Sequence, residues 1–271
     1  MQKVLARGGL ASRREIERWI EEGRVKLNGE TATLGMRLKA GDHLQLNGRI
    51  VNWQKYAVQP TRVLLYHKST GEVVTRNDPE GRPTVFKQLP RIESGRWIAV
   101  GRLDINTSGL LLMTNNGELA NRLMHPSTQI EREYAVRILG DVPDAILERL
   151  KQGVALEDGN AKFDEIKFSG GEGANKWYYV TVAEGRNRLV RRLWESQNMT
   201  VSRLMRVRYG PVVLPDGLKT HGIYELDIKE LNLLFEFAGL KPDDPIPDNS
   251  PASTESTSNK VKPSRYKPKR N

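Results

Sequence analysis

The stretch Trp97-Ile98-Ala99-Val100-Gly101-Arg102-Leu103-Asp104-Ile105-Asn106-Thr107-Ser108-Gly109-Leu110-Leu111-Leu112-Met113-Thr114 sets one carboxylate between two apolar runs. Trp97 to Val100 is short and apolar, as a buried strand is, and Gly109 to Thr114 reads as a second strand. The polar residues between them make a loop. Asp104 therefore stands on a short connection between two core strands, with Arg102 two residues before it. A rigid scaffold that presents one charged group on a loop is a common way to build a site. On chemistry alone, Asp104 could equally cap a turn or pair with Arg102.

Gly101-Arg102-Leu103-Asp104 followed by Thr107-Ser108-Gly109-Leu110-Leu111 closely resembles the signature of pseudouridine synthases. It resembles the branch that modifies ribosomal RNA at single sites, the small-subunit synthase A family, and within it most closely the large-subunit (23S) synthase B group. The resemblance runs from about Gln2 to about Leu234. It implies that Asp104 is the catalytic residue, that Arg102 contacts the substrate, and that no cofactor or metal is required. It also implies a catalytic domain with a mixed, largely antiparallel sheet flanked by helices. With runs of strands interrupted by few helices, the expected fold class is α+β.

Composition is consistent with a nucleic-acid partner. The 271 residues carry a formal charge of +10, which favours a polyanion. Cysteine is absent, which excludes disulfides and thiol catalysis. No apolar stretch approaches the length of a membrane span, and no signal-peptide core is present. His43, His67, His125 and His221 are scattered without metal-ligand spacing, and no Walker or dinucleotide fingerprint occurs. A soluble, cytoplasmic monomer is expected.

Residues 1–48 read as a small module. Gln2 to Arg7 can form a helix closed by Gly8-Gly9. Ser12-Arg13-Arg14-Glu15 is a capping-box pattern that starts a second helix, with Ile16, Trp19 and Ile20 on one face. Asn28-Gly29 is a strong hairpin signal. Arg13, Arg14 and Arg18 fall on the other surface of the helix, where they either contact phosphates or form i,i+4 ion pairs in solvent. The order of elements and the basic face resemble an S4 RNA-binding domain, in which such arginines neutralise phosphates. Residues 1–58 alone hold eleven Lys/Arg against six Asp/Glu. Residues 49–60 have weak periodicity and read as a linker.

Residues 61–238 read as the catalytic domain. Arg62 to Lys68 is a strand; the family usually continues Lys-Pro, whereas Ser69 follows Lys68 here. Thr75 to Thr84 is a loop rich in turn formers, from which Arg76 and Arg82 either grip RNA or merely face solvent. Helices are expected over Asn116–Met124 and Pro143–Gln152, and strands over Arg132–Ile138, Trp177–Val182 and Val201–Gly210. Ser169-Gly170-Gly171-Glu172-Gly173 suits a hairpin turn better than a phosphate cradle, because no helix start follows. In Glu184-Gly185-Arg186-Asn187-Arg188-Leu189-Val190-Arg191-Arg192-Leu193-Trp194, Asn187 can cap a helix. The arginines crowded at its start oppose the macrodipole, so an anion should stand nearby.

The resemblance implies roles for some of these residues. Tyr134 matches the tyrosine that stacks on the target base. Arg191, or Arg192 one residue on, matches the basic residue that pairs with the catalytic Asp. Leu204 is the apolar residue expected against the flipped base, and Arg186, Arg188 and Arg192 are expected on phosphates. Residues 239–271 lack periodicity and read as a disordered basic tail.

The reaction so implied isomerises a specific uridine of ribosomal RNA, of the large subunit or its assembly precursor. The sequence leaves two rivals. A glycoside or nucleoside hydrolase usually employs two carboxylates, and the motif supplies one. A non-catalytic ribosome factor built on the S4-like module would bind RNA without changing it.

Overall fold

The computed structural model describes residues 1–57, 59–93 and 95–241, so the tail from 242 onward lies outside the described residues. The chain divides into two compact units, one comprising Met1–Arg62 with Pro90–Ile98 and Thr114–Gly117, the other the remainder.

In the first unit, α1 (Gln2–Arg7) ends at Gly8 and α2 (Arg13–Glu21) starts at Ser12. Ser12 accepts a hydrogen bond from the Glu15 amide at 3.1 Å, but only this half of the expected capping box forms. The Glu15 carboxylate instead accepts from Arg18 and from Trp19 Nε1. Ile16 and Ile20 point into a core with Leu5, Val25, Leu44 and Trp53. Four short strands, β1 (Val25–Leu27), β2 (Glu30–Thr31), β3 (Leu44–Leu46) and β4 (Arg49–Val51), form an antiparallel sheet in the order β2-β1-β3-β4. Asn28 and Gly29 both take positive φ, as a two-residue type I′ hairpin requires.

Asn47-Gly48 repeats that turn with φ of 52° and 76°. This overturns the linker expected over residues 49–60. Arg49–Val51 pairs with Leu44–Leu46 as an edge strand, and Gln54–Ala57 forms the short helix α3. The alternation in Arg49-Ile50-Val51 is too brief to register as a period, and the second Asn-Gly pair was the available signal.

The second unit is built on one mixed sheet. Its strands are β5 (Val63–Lys68), β6 (Ile98–Ala99), β7 (Ser108–Thr114), β8 (Arg132–Leu139), β9 (Val154–Leu156), β10 (Gly159–Ala161), β11 (Glu165–Gly170), β12 (Asn175–Val182), β13 (Thr200–Tyr209), β14 (Val212–Val213) and β15 (Ile223–Glu225). β9 and β10 form a separate hairpin. The main sheet runs β11-β12-β8-β13-β7-β5-β15, with β6 on β7 and β14 on β13. β11, β12, β8 and β13 are successively antiparallel, and β13 runs parallel to β7. The helices are α4 (Gly117–Met124), α5 (Asp144–Gln152), α6 (Leu189–Glu195) and α7 (Ile228–Phe237). Leu150 of α5 and Leu193 and Trp194 of α6 cover Val136, Ile138, Tyr178 and Val180 on one face of the sheet. The Ser169–Gly173 region joins β11 to β12 as a hairpin. No helix among the described residues is long and apolar enough to cross a membrane.

Candidate active site

Asp104 lies in the loop between β6 and β7, half-buried, at the edge of a cleft of about 620 Å³. Its backbone carbonyl accepts from the Thr107 amide at 3.0 Å, closing a turn. Among the described residues its carboxylate forms no ion pair, with Arg102 or any other; Arg102 is exposed and lines the same cleft. Gly109, at the start of β7, has φ of +102°, and a Cβ there would meet the Arg206 carbonyl at 2.3 Å. Only glycine lets β7 approach β13 this closely, and that approach fixes where the Asp104 loop emerges.

The loop is held from beneath by Lys68, a residue the sequence reading passed over. At the end of β5 its side chain is fully buried, and its ammonium donates to the carbonyls of Ser69, Asp104 and Thr107 at 2.9, 3.0 and 2.8 Å. Burial draws the Lys68 pKa down to about 8, while the negative charges of Glu72 and Asp104 pull the other way. The departure from Lys-Pro acquires a reason here: the Ser69 amide donates to Glu72 at 2.9 Å, a bond proline could not make.

Tyr134 and Leu204 both line the cleft. In the register of β8 against β13, Tyr134 stands opposite Arg206, and Val136 opposite Leu204. Val136 and Ile138 go under the helices, whereas Tyr134, two residues earlier on the same face, is half-buried with its ring against the core. It thus meets both descriptions open from sequence, a core contact and a cleft wall.

Arg191 on α6 is buried, with Nη1 donating to the Val201 carbonyl at 3.1 Å and Nη2 to the Asn106 carbonyl at 2.8 Å. It clips the loop two residues beyond Asp104. Burial lowers its pKa, the neighbouring Arg188 adds to this, and Asp104 opposes it; a guanidinium stays charged regardless. Arg192 points elsewhere, donating to both oxygens of Asp158 at 2.9 and 2.8 Å. Arg186 also donates to Asp158 and to Glu184, and Arg188 to Glu195. The anions that offset this cationic helix start are therefore several. Arg188, in the left-handed region at φ 49°, is the cap residue, so the expected Asn187 cap is not formed.

Arg82 is engaged by Asp78 and Glu80, and Arg76 lies 4.5 Å from the centroid of the Phe86 ring. In the first unit Arg13, Arg14 and Arg18 are all exposed, with Arg18 paired to Glu15 and Glu22.

Two further cleft residues escaped the sequence reading, Arg132 and Arg206, which are 8% and 3% exposed. Each guanidinium lies 5.0 Å from the centroid of the Tyr209 ring. Strict alternation along β13 would set Arg206 and Arg208 on one face. A bulge between them breaks the alternation: Arg208 pairs opposite Glu133, while Tyr209 pairs opposite Arg132. Arg206 and Tyr209 therefore share the cleft face, and Arg208 leaves it for Glu131 and Glu133.

The chain is similar to known proteins along most of its length. Residues 62–196 match the family model of RNA pseudouridylate synthase, and residues 2–44 match the S4 domain. The ribosomal large subunit pseudouridine synthase B of Escherichia coli (strain K12) is 58% identical over 245 residues, 90% of this chain and 84% of that protein. The protein of the same name from Pseudomonas aeruginosa is 57% identical over 243 residues, 89% of this chain but 63% of its own length. A crystal structure of a pseudouridylate synthase superposes with a TM-score of 0.59 at 24% identity, covering 86% of this chain and 98% of that one, which bears on the fold alone. Placement in the small-subunit synthase A family finds no support in these relatives, whose names refer to the large ribosomal subunit. On the extent and identity of these matches, the chain belongs to the RNA pseudouridine synthases, in the group of the large-subunit pseudouridine synthase B proteins.

Proposed function

We propose that this chain, acting as a monomer, isomerises a specific uridine of large-subunit ribosomal RNA to pseudouridine. The observation that carries the reading is one carboxylate, Asp104, presented at a cleft that Tyr134 and Leu204 also line, on a loop tied down by Arg191. The ribose C1′ is hard to reach in stacked RNA, so the target nucleotide is flipped into the cleft. The C1′–N1 bond breaks with its electron pair leaving on the uracil, the ring turns, C5 bonds to C1′, and C5 then loses its proton as N1 takes one up. Asp104 acts at the ribose, as nucleophile at C1′ or as base at C2′; either role uses the carboxylate anion, whose charge Arg191 balances. Tyr134 supports the detached ring by stacking, worth about 1–3 kcal/mol per base, and Leu204 packs against it. Arg102 contacts the target nucleotide. Arg76, Arg82, Arg186, Arg188 and Arg192 meet phosphates from the catalytic domain, and Arg13, Arg14 and Arg18 from the S4 domain, where exposed cations provide the salt-dependent part of affinity.

Two measurements test this together. Pseudouridines are mapped in ribosomal RNA from cells with and without the protein, and a uridine that is converted only in its presence is expected. Single-turnover tritium release from 5-tritiated uridine RNA is then compared for wild type and Asp104→Asn. The variant should lose almost all release while binding RNA normally. Binding without release by wild type would make the protein an RNA-binding ribosome factor, and accumulation of free uracil would make it a hydrolase.

A further inference from the structure

The floor of the cleft holds two cations with no anion. Among the described residues neither Arg132 nor Arg206 forms an ion pair, although both are more than nine-tenths buried. Their neighbour Arg208 takes two carboxylates, so acidic partners exist nearby on the strand next to β13 and are directed to the opposite face. Arg132 is satisfied by carbonyls: Nη1 donates to Ile130 and Ala183 at 2.7 and 2.9 Å, and Nη2 to the Tyr209 hydroxyl at 3.3 Å. Arg206 is not. Its Nε donates to the Leu110 carbonyl at 2.8 Å, while its Nη2 is buried with no hydrogen-bond partner among the described residues. An unmet charged donor in a buried place is costly, and a catalytic role is one of the reasons a fold keeps one. Arg206 also stands directly opposite Tyr134 in the strand register, beside the residue placed under the uracil.

Resting on the isomerase reading, we propose that Arg206 is a further catalytic residue: its guanidinium donates to a carbonyl oxygen of the flipped uracil and offsets the negative charge that this ring gains. When C1′–N1 breaks, its electron pair leaves with the uracil, which is an anion delocalised over N1 and the two carbonyl oxygens until C5 bonds to C1′. A fixed guanidinium lining the cleft is matched to that transient charge. Arg132, also beside the Tyr209 ring, adds positive field without contacting the base. The Tyr209 ring, its hydroxyl donating to the Leu123 carbonyl at 2.6 Å, lies 5.0 Å from each of the two cations. Phosphates are a poorer match: they stay on the RNA backbone at the cleft mouth, whereas Arg206 lies in the floor beside the base-supporting tyrosine.

The test pairs enzyme variants with altered bases. Arg206→Gln and Arg206→Lys are compared with wild type on RNA carrying uridine, 2-thiouridine or 4-thiouridine at the mapped position, since sulfur accepts hydrogen bonds poorly. Single-turnover rate at saturating RNA, RNA affinity and melting temperature are recorded for each. Wild type should slow on one of the two thio-RNAs at unchanged affinity. Arg206→Gln should lose about a hundredfold in rate on uridine RNA and show little further loss on that same thio-RNA; Arg206→Lys should recover part of the rate. Should Arg206→Gln fail to fold for want of the Leu110 tie, Arg206→Lys and the wild-type thio effect carry the test. No thio effect in wild type, equal thio effects in wild type and variant, or weaker affinity with a lower salt slope and a normal saturated rate would each overturn the proposal, the last in favour of a phosphate contact. If wild type makes no pseudouridine at all, it is the isomerase reading that fails.

Discussion

Replacing Lys68 with methionine isolates what holds the catalytic loop. The side chains are close in volume, so the change removes the charge and three donated hydrogen bonds without opening a large cavity. Two terms compete. Holding the ammonium in the core, at a pKa of about 8 instead of 10.5, costs about 3 kcal/mol. Against it stand three charge-assisted bonds to the Ser69, Asp104 and Thr107 carbonyls, each worth about 1.5–3 kcal/mol. The bonds win, and Lys68→Met should lose about 2–5 kcal/mol, or roughly 5–15 °C in melting temperature. Freed from its tie, the Asp104 loop should drift, and a displacement near 1 Å costs about a hundredfold in rate. The pH dependence has two opposite signs. Between about pH 8 and 10.5 the unfolded chain binds more protons at this lysine than the folded chain does, so this group's contribution to stability rises with pH across that window. Turnover should fall over the same rise, because the neutral amine gives up one donor and the charge beneath Asp104. Thermal melts and single-turnover rates from pH 7 to 10 check both trends. A Lys68→Met protein that melts with wild type, isomerises RNA at the wild-type rate and keeps the same alkaline limb would refute the reasoning.

Gly109→Ala should destabilise by roughly 2–6 kcal/mol, combining positive-φ strain with the clash against the Arg206 carbonyl. Gly101→Ala, also at positive φ but with nothing within 4 Å of its Cβ, should cost only about 1–2 kcal/mol, and denaturant titration separates the two. Tyr134→Phe should keep most affinity for RNA and lose rate only in the chemical step, whereas Tyr134→Leu should impair both capture and turnover. A Tyr134→Leu protein that melts lower but turns over normally per folded molecule would reduce Tyr134 to a core residue. Arg13→Ala with Arg14→Ala should reduce the log–log salt slope of RNA binding by roughly 0.7–0.9 per lost phosphate contact while leaving the saturated rate unchanged; an unaltered slope would leave these arginines facing only solvent.

Local patterns carried most of the architecture. The apolar runs on either side of Asp104, the Ser12 cap, the Asn28-Gly29 turn and the alternation in Arg132–Ile138 each depend on residues a few positions apart, and each formed. The long motif around Asp104 led directly to the family that the relatives confirm. Apart from the short strand Arg49–Val51, whose signal was the local Asn47-Gly48 turn, what the sequence did not show was an encounter between distant segments. Lys68 and Asp104 are 36 residues apart, and nothing near Lys68 in the chain marks it as the support of that loop. Arg191 and Arg192, neighbours in the chain, part company through Asp158, more than thirty residues upstream, which takes Arg192, while Arg191 reaches the Asn106 carbonyl; among the described residues neither forms an ion pair with Asp104. Arg206 and Tyr209 share a cleft face only because of a one-residue bulge, and a bulge is a property of two paired strands. The sequence by itself determined most of the helices and strands, since backbone preference and hydrophobic period act over a few residues. Only the tertiary structure decided which charged side chains meet in the cleft, because their partners are chosen by strand register and burial across the whole chain.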